Sequence, residues 1–257
     1  MPPRRANVPG TLVIALLLAL WEALVGGGAV RFDYLPAPSA IALAGWALLA
    51  SGQLPADALH TVRAVFLGWI MACAIGIGLG LALGFSADLR RYCLASVEVL
   101  RPLPGIAFLP VALLLFSFST ETELVVIVYP SIWPVLTNTM YGILSVEARL
   151  HDVSRTLRLT RVKTLTKVLI PAAAPAIVVG CRLSMGIALV MGIVAEMLGN
   201  PRGLGNAIIS QQQSMQPASM FAYVLFVGVL GIAINAGLVS LARRGLRGHG
   251  NRSSGDA

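Results

Sequence analysis

Few side chains in this sequence could do chemistry, and their spacing excludes the common catalytic sets. His60, His151 and His249 all lie outside the apolar runs, the runs hold no paired aspartates, and there is no G-x-S-x-G turn to present a serine nucleophile. No nucleophile with its base is apparent, so an intramembrane hydrolase is not the expected reading. The Lys-Thr pair at Lys163 and Thr164 follows Val162, where a G-x-x-x-x-G-K-[ST] phosphate cradle needs glycine. ATP is not expected to bind this chain. Cys73, Cys93 and Cys181 are scattered and define no metal or disulfide framework, which makes them packing residues. The charge that stands out is Arg182, inside an apolar run, where an ionised side chain is a functional candidate. It follows Pro171 by about 16 Å of helix. From there it either reaches a small anion in a pathway or snorkels back to the interface.

The elements that must position these residues follow from composition. The chain has 257 residues, 57% apolar and 12% charged, with a mean hydropathy of +0.82. Soluble domains are about 25% charged, so the expectation is a polytopic, all-α membrane protein. A crossing takes about 20 apolar residues, and six stretches qualify: Thr11 to Val30, Arg63 to Phe85, Pro104 to Phe118, Glu121 to Leu144, Ala172 to Leu198 and Met220 to Ala242. Trp21 and Glu22 stand where a signal peptide would need small residues, so the first stretch is read as a retained helix.

The formal charge of +8 raises nucleic acid as a partner, but the basic residues lie between apolar runs and not on a basic face with interleaved aromatics. With the N-terminus inside, the inner segments hold fifteen Lys and Arg residues, from Arg4 and Arg5 to Arg252, against Arg31, Arg63 and Arg202 outside. Basic residues in short loops stay cytoplasmic, which puts both termini in the cytoplasm. The expected organisation is a cytoplasmic N-terminus (1–10), a transmembrane domain (11–242) with a cytoplasmic loop at 145–171, and a basic tail (243–257).

Within the second stretch Gly76, Gly80 and Gly84 share one helix face, which favours close helix packing over a substrate path along the glycines. Pro104 and Pro110 break the third stretch and Pro130 and Pro134 the fourth, each freeing carbonyls that a neighbour, water or substrate must satisfy. Ser131, Thr137, Asn138 and Thr139 lie close by. Kinking and pathway lining both fit this pattern. The loop from Ser145 to Ile170 carries six basic residues, enough to hold it to anionic lipid. Lipid attraction explains its charge but not its ordered pattern.

That pattern, DVSRTLRLTRVKTLTKVLIP from Asp152 to Pro171, resembles the coupling loop of permease subunits in binding-protein-dependent ABC importers, E-A-A, three residues, G, nine residues, I-x-L-P. Asp152 takes the Glu position, Val153 and Ser154 the two Ala positions, Val168 the Ile position, and Ile170 and Pro171 close it. Arg158 stands where the family has glycine. LPAPS at Leu35 to Ser39, HTVRAVFLGW at His60 to Trp69, RPLP at Arg101 to Pro104, Asn138 and Thr139 with Gly142, Gly180 to Arg182 with Gly186, Ala195 to Met197 and Gly203 to Gly205 are similar to the branch importing nitrate, taurine and aliphatic sulfonates.

The resemblance implies six transmembrane helices with a coupling loop between the fourth and fifth, in the bacterial inner membrane. It implies a permease homodimer that receives a small anion from a periplasmic or lipid-anchored binding protein. Two cytoplasmic ATPase subunits would hold ATP and Mg, leaving no cofactor on this chain. Asp152, Val153, Ser154, Arg155, Thr156, Leu157 and Arg158 would dock on the ATPase, and Ile170 and Pro171 would pass loop motion into the fifth helix. Asn138, Arg182 and Ser131 are the candidates for the pathway, and Glu196 is either a binding-protein contact or a rim charge at the headgroups. The alternative is an ion-coupled secondary transporter, which would need carboxylates buried in the spans and internal repeats. Glu22 and Glu196 fall toward span ends, and the two halves do not match.

Overall fold

The computed structural model describes residues 8–27, 34–146 and 158–250, which form helices and their connections with no strand among them. α1 (Val8–Trp21) continues through a π-helical turn, Glu22–Gly26, and α2 (Pro38–Ala50) follows. The Glu22 carboxylate accepts from the Ser39 amide (3.0 Å) and hydroxyl (2.7 Å), so it caps the N-terminus of α2.

α3 (Gln53–Phe85) starts ahead of the expected Arg63, because the polar turns around Asp57 and His60 extend the helix beyond its apolar run. Its far end passes at once into α4 (Ala87–Leu100), capped by Ser86, whose hydroxyl accepts from the Leu89 amide at 3.2 Å. Arg90 folds back to donate to the Leu83 carbonyl at 3.0 Å, a cation on the final carbonyls of α3. The Arg101 to Pro104 segment breaks the chain before a 3₁₀ turn, Gly105–Phe108, and α5 (Leu109–Phe116). α4 and α5 are bent by 85° at this break, so the expected third span is the second half of a broken pair.

α6 (Thr120–Leu144) runs unbroken through Pro130 and Pro134. α7 (Arg161–Thr164) leads through a π-helical turn, Leu165–Leu169, into α8 (Ile170–Gly199). The wider turn stands just before Pro171, which has no amide to continue the ladder. α9 (Gly203–Gln213) and α10 (Pro217–Gly250) complete the order. The glutamines 211–213 end α9.

Among the described residues Gln53–Phe85, Thr120–Leu144, Val162–Gly199 and Pro217–Ala242 are long and apolar enough to cross a membrane, and the bent α4 and α5 make a fifth crossing if they count as one. The expected first span, Thr11 to Val30, corresponds to a shorter apolar helix, Gly10–Gly26.

α3, α6 and α8 form the centre. Contacts between α3 and α6 advance together along both helices, Gly68 on Ile127, Gly76 on Val135, Gly80 on Thr139 and Gly84 on Ile143, so the two run parallel. α8 runs antiparallel to α6, with Gly142 against Ala173 and Ala176, and Gly180 against Pro134 and Asn138. A Cβ on Gly80 would lie 2.6 Å from Thr139 Cβ and 2.8 Å from the Leu136 carbonyl oxygen. Only a glycine lets the backbones approach that closely. Gly78, by contrast, would meet nothing within 4 Å. Gly80→Leu is expected to lose at least the 1–3 kcal/mol typical of overpacking, read as a fall in monodisperse folded protein by fluorescence-detected size exclusion. Gly78→Leu should leave that yield unchanged.

Candidate functional site

A buried polar cluster occupies the end of the bundle where α3 and α6 begin and α8 finishes. Each helix contributes through its terminal turns: Asp57, His60 and Thr61 from α3, Glu123 from the first turn of α6, and Glu196 from the last turns of α8, with Asn200 just beyond. Glu123 is wholly buried and Glu196 is 1% exposed. Glu123 Oε1 lies 3.2 Å from His60 Nε2 and accepts from the Asn200 amide, which also approaches His60 Nε2 at 3.5 Å. His60 with Glu123 is the single contact of ion-pair geometry among the described residues, and is one only when the imidazole is protonated.

The second carboxylate is held by the next helix. Glu196 Oε2 accepts from the Thr61 hydroxyl (2.9 Å) and from the Gly205 amide (2.9 Å) in the first turn of α9. Thr61 Oγ1 in turn accepts from the Leu204 amide at 2.9 Å, so α3 and α8 together satisfy two of the free amides that begin α9. Gly203 makes this possible. Its φ of +92° lies in the left-handed region, and a Cβ there would run into the Glu196 carboxylate. Beside the cluster Tyr223 of α10 donates to Asp57 Oδ2 at 2.9 Å, over a polar cavity of about 320 Å³ that Asn206, Ser210 and Gln211 also line.

Acceptors outnumber donors here. Glu123 Oε2 and Glu196 Oε1 are buried with no hydrogen-bond partner. One ligand atom from each of His60, Glu123 and Glu196 lies within 4.8 Å of the others, a set able to tie three helices together around a shared cation or proton.

Of the residues singled out by sequence, Glu196 lies in this cluster and the others fall elsewhere. Glu196 is neither a rim charge nor a docking contact, because it is buried and bonded to α3 and α9. Gly76, Gly80 and Gly84 lie on the face of α3 that meets α6. Arg182 is exposed, and its Nε donates to Asn235 Oδ1 of α10 at 3.0 Å. Asn138 is half-buried and spends its amide on the Pro134 carbonyl of its own helix at 2.8 Å. Ser131 is fully buried at the seam with α8, where its carbonyl accepts from the Ser184 hydroxyl at 2.7 Å. Asp152, Val153, Ser154, Arg155, Thr156 and Leu157 lie outside the described residues. Arg158 has a φ of +48°, and Ile170 and Pro171 begin α8.

Sequence reasoning missed Glu123, Thr61 and Asn200, and set His60 aside for lying outside the apolar runs. Spacing held a usable signal: Glu123, Ile127, Ser131, Val135 and Thr139 follow at four-residue steps, which puts Glu123 on the buried face of its helix.

The family model described as "Binding-protein-dependent transport system inner membrane component" matches residues 74–245. The chain is 33% identical over 222 residues to the putative aliphatic sulfonates transport permease protein SsuC of Bacillus subtilis (strain 168), across 86% of this chain and 80% of that one. It is 29% identical over 251 residues to the nitrate import permease protein NrtB of Leptolyngbya laminosa, across 93% and 88%. Among solved structures, the MetNI methionine ABC transporter in an inward-facing conformation superposes with a TM-score of 0.65 at 19% identity, covering 72% of this chain and 92% of that one. At that identity the likeness is one of fold.

The polar cluster makes a prediction about stability. Thr61→Val removes both the donor to Glu196 and the acceptor for the Leu204 amide, and should cost about 1–3 kcal/mol for each buried group left unpaired. A lowered thermal unfolding midpoint in detergent, with Thr61→Ser close to the unsubstituted protein, is the expected outcome.

Proposed function

The chain belongs to the family of binding-protein-dependent transport system inner membrane components, and from that premise we propose that it imports a small anion, with nitrate, taurine and other sulfonates as the leading class. It is a membrane permease subunit of an ABC transporter and not an enzyme, ATP hydrolysis being done by a partner ATPase. The likeness to a sulfonate permease and a nitrate permease over most of the chain supports the anion class.

In this reading α1, α3, the bent α4 and α5, α6, α7 with α8, and α10 make six crossings, both termini are cytoplasmic, and a homodimer encloses the pathway. The polar cluster then faces outward and the segment joining α6 to α8 faces the cytoplasm. That segment, Asp152 to Arg158, docks on the ATPase, which holds ATP and Mg; Ile170 and Pro171 pass its motion into α8. Two packed states alternate, one open to the binding protein and one to the cytoplasm. Arg182, anchored on Asn235, and Asn138 beside the α6 to α8 seam are the residues assigned to the pathway.

The observation that carries the coupling assignment is the backbone at Arg158. Its φ of +48° is a left-handed conformation that glycine adopts without strain, which supports reading Arg158 as standing where the family has glycine. A non-glycine residue there costs of order 1–3 kcal/mol.

The test reconstitutes the permease with its ATPase and binding protein and follows uptake and hydrolysis together. Leu157→Asp and Asp152→Arg should leave the protein in the membrane while abolishing solute-stimulated hydrolysis and uptake. Arg158→Gly should keep both, with a raised unfolding midpoint. Normal transport in the Leu157 and Asp152 variants would sink the coupling assignment.

A further inference from the structure

We propose that His60, Glu123 and Glu196 form a binding site for a divalent first-row transition-metal ion, Zn²⁺ or Mn²⁺, that locks α3, α6 and α8 together at one end of the bundle. Sequence spacing points to no metal on this chain, since the three ligands come from distant positions. Folding brings one donor atom from each within 4.8 Å of the other two.

Three observations point to a cation and not only to a hydrogen-bonded cluster. Both carboxylates are buried, at 0% and 1% exposure, and each keeps one oxygen, Glu123 Oε2 and Glu196 Oε1, with no hydrogen-bond partner. A buried acceptor without a partner is costly, and a buried charge more so. No Lys or Arg among the described residues forms an ion pair with either carboxylate, so two acidic groups stand against one imidazole. A divalent ion balances two carboxylates. The donor set of one imidazole nitrogen and two carboxylate oxygens is the mixed N and O chemistry that suits zinc and manganese.

The surroundings supply what a metal site needs beyond its ligands. The Asn200 side-chain amide holds Glu123 through Oε1, and the Thr61 hydroxyl with the Gly205 amide holds Glu196 through Oε2, so each carboxylate is oriented while its second oxygen has no protein partner. Access is through His60, whose side chain is 22% exposed while both carboxylates are enclosed. Bonds to zinc are about 2.0–2.2 Å, so binding draws the three donor atoms inward by rotation of side chains already in contact.

The experiment uses the full chain purified with its ATPase and without a polyhistidine tag. The complex is stripped with EDTA, loaded with Zn²⁺ or Mn²⁺, desalted, and assayed for bound metal by elemental mass spectrometry and for its unfolding midpoint, with Mg²⁺ loading as control. The expected result is one retained Zn²⁺ or Mn²⁺ per permease chain, with a raised midpoint that EDTA reverses. His60→Asn, at the partly exposed ligand where folding is least at risk, should lower affinity at least tenfold, and Glu196→Gln should do the same. No retained metal and no shift in midpoint would overturn the site. So would retention equal in the unsubstituted protein and both variants, which puts the ion elsewhere, or a midpoint that follows pH alone in metal-free protein, which makes the cluster a shared-proton pair.

Discussion

Lipid tails are as apolar as leucine, so transmembrane helices gain little from the hydrophobic effect when they meet and are held by close packing and hydrogen bonds. In this protein the packing that everything else depends on is the approach of α3 to α6. Gly68, Gly76, Gly80 and Gly84 present bare backbone to Ile127, Val135, Thr139 and Ile143, and Ala72 fills the remaining step, completely buried. α8 closes on the other side of α6 through Gly142 and Gly180. The result is a three-helix unit in which one helix, α6, is packed along most of its length on both neighbours.

That unit connects two chemically different ends. At one, the carboxylates of Glu123 and Glu196 tie the starts of α3 and α6 to the finish of α8 and the first turn of α9. At the other, α6 finishes and α7 with α8 begins, bracketing the segment assigned to ATPase docking. A close-packed unit of this kind moves as a body and does not deform smoothly. In the function proposed above, loop movement at one end would be delivered through this unit to the polar cluster at the other, as alternating access requires. The π-helical turn before Pro171 lies where the loop joins this unit.

Much of this was legible in the residues. Composition identified a membrane protein, the glycine spacing in α3 identified a packing face, and the order of Asp152 to Pro171 identified the family. The broken third span was less legible: α4 is amphipathic, with Asp88, Arg90, Arg91 and Glu98 along it, so a search for apolar runs passes over it and finds only α5. The polar cluster was hidden for a different reason. Glu123 and Glu196 stand near the ends of apolar runs, where an acidic residue usually reaches headgroups and water, and only the fold shows that α9 and α3 cover them. Their burial also removes one objection raised against a secondary transporter, the lack of carboxylates within the bundle. The choice between the two classes therefore rests on family membership and not on the distribution of charge.

The most direct measurement of the central claim is uptake of a radiolabelled small anion, a sulfonate or nitrate, into proteoliposomes holding this permease and its ATPase, with the binding protein outside and ATP enclosed. Uptake that requires ATP hydrolysis and the binding protein, and that persists when proton and sodium gradients are collapsed, is the predicted result. Uptake by the permease alone, driven by an ion gradient and indifferent to ATP, would contradict it.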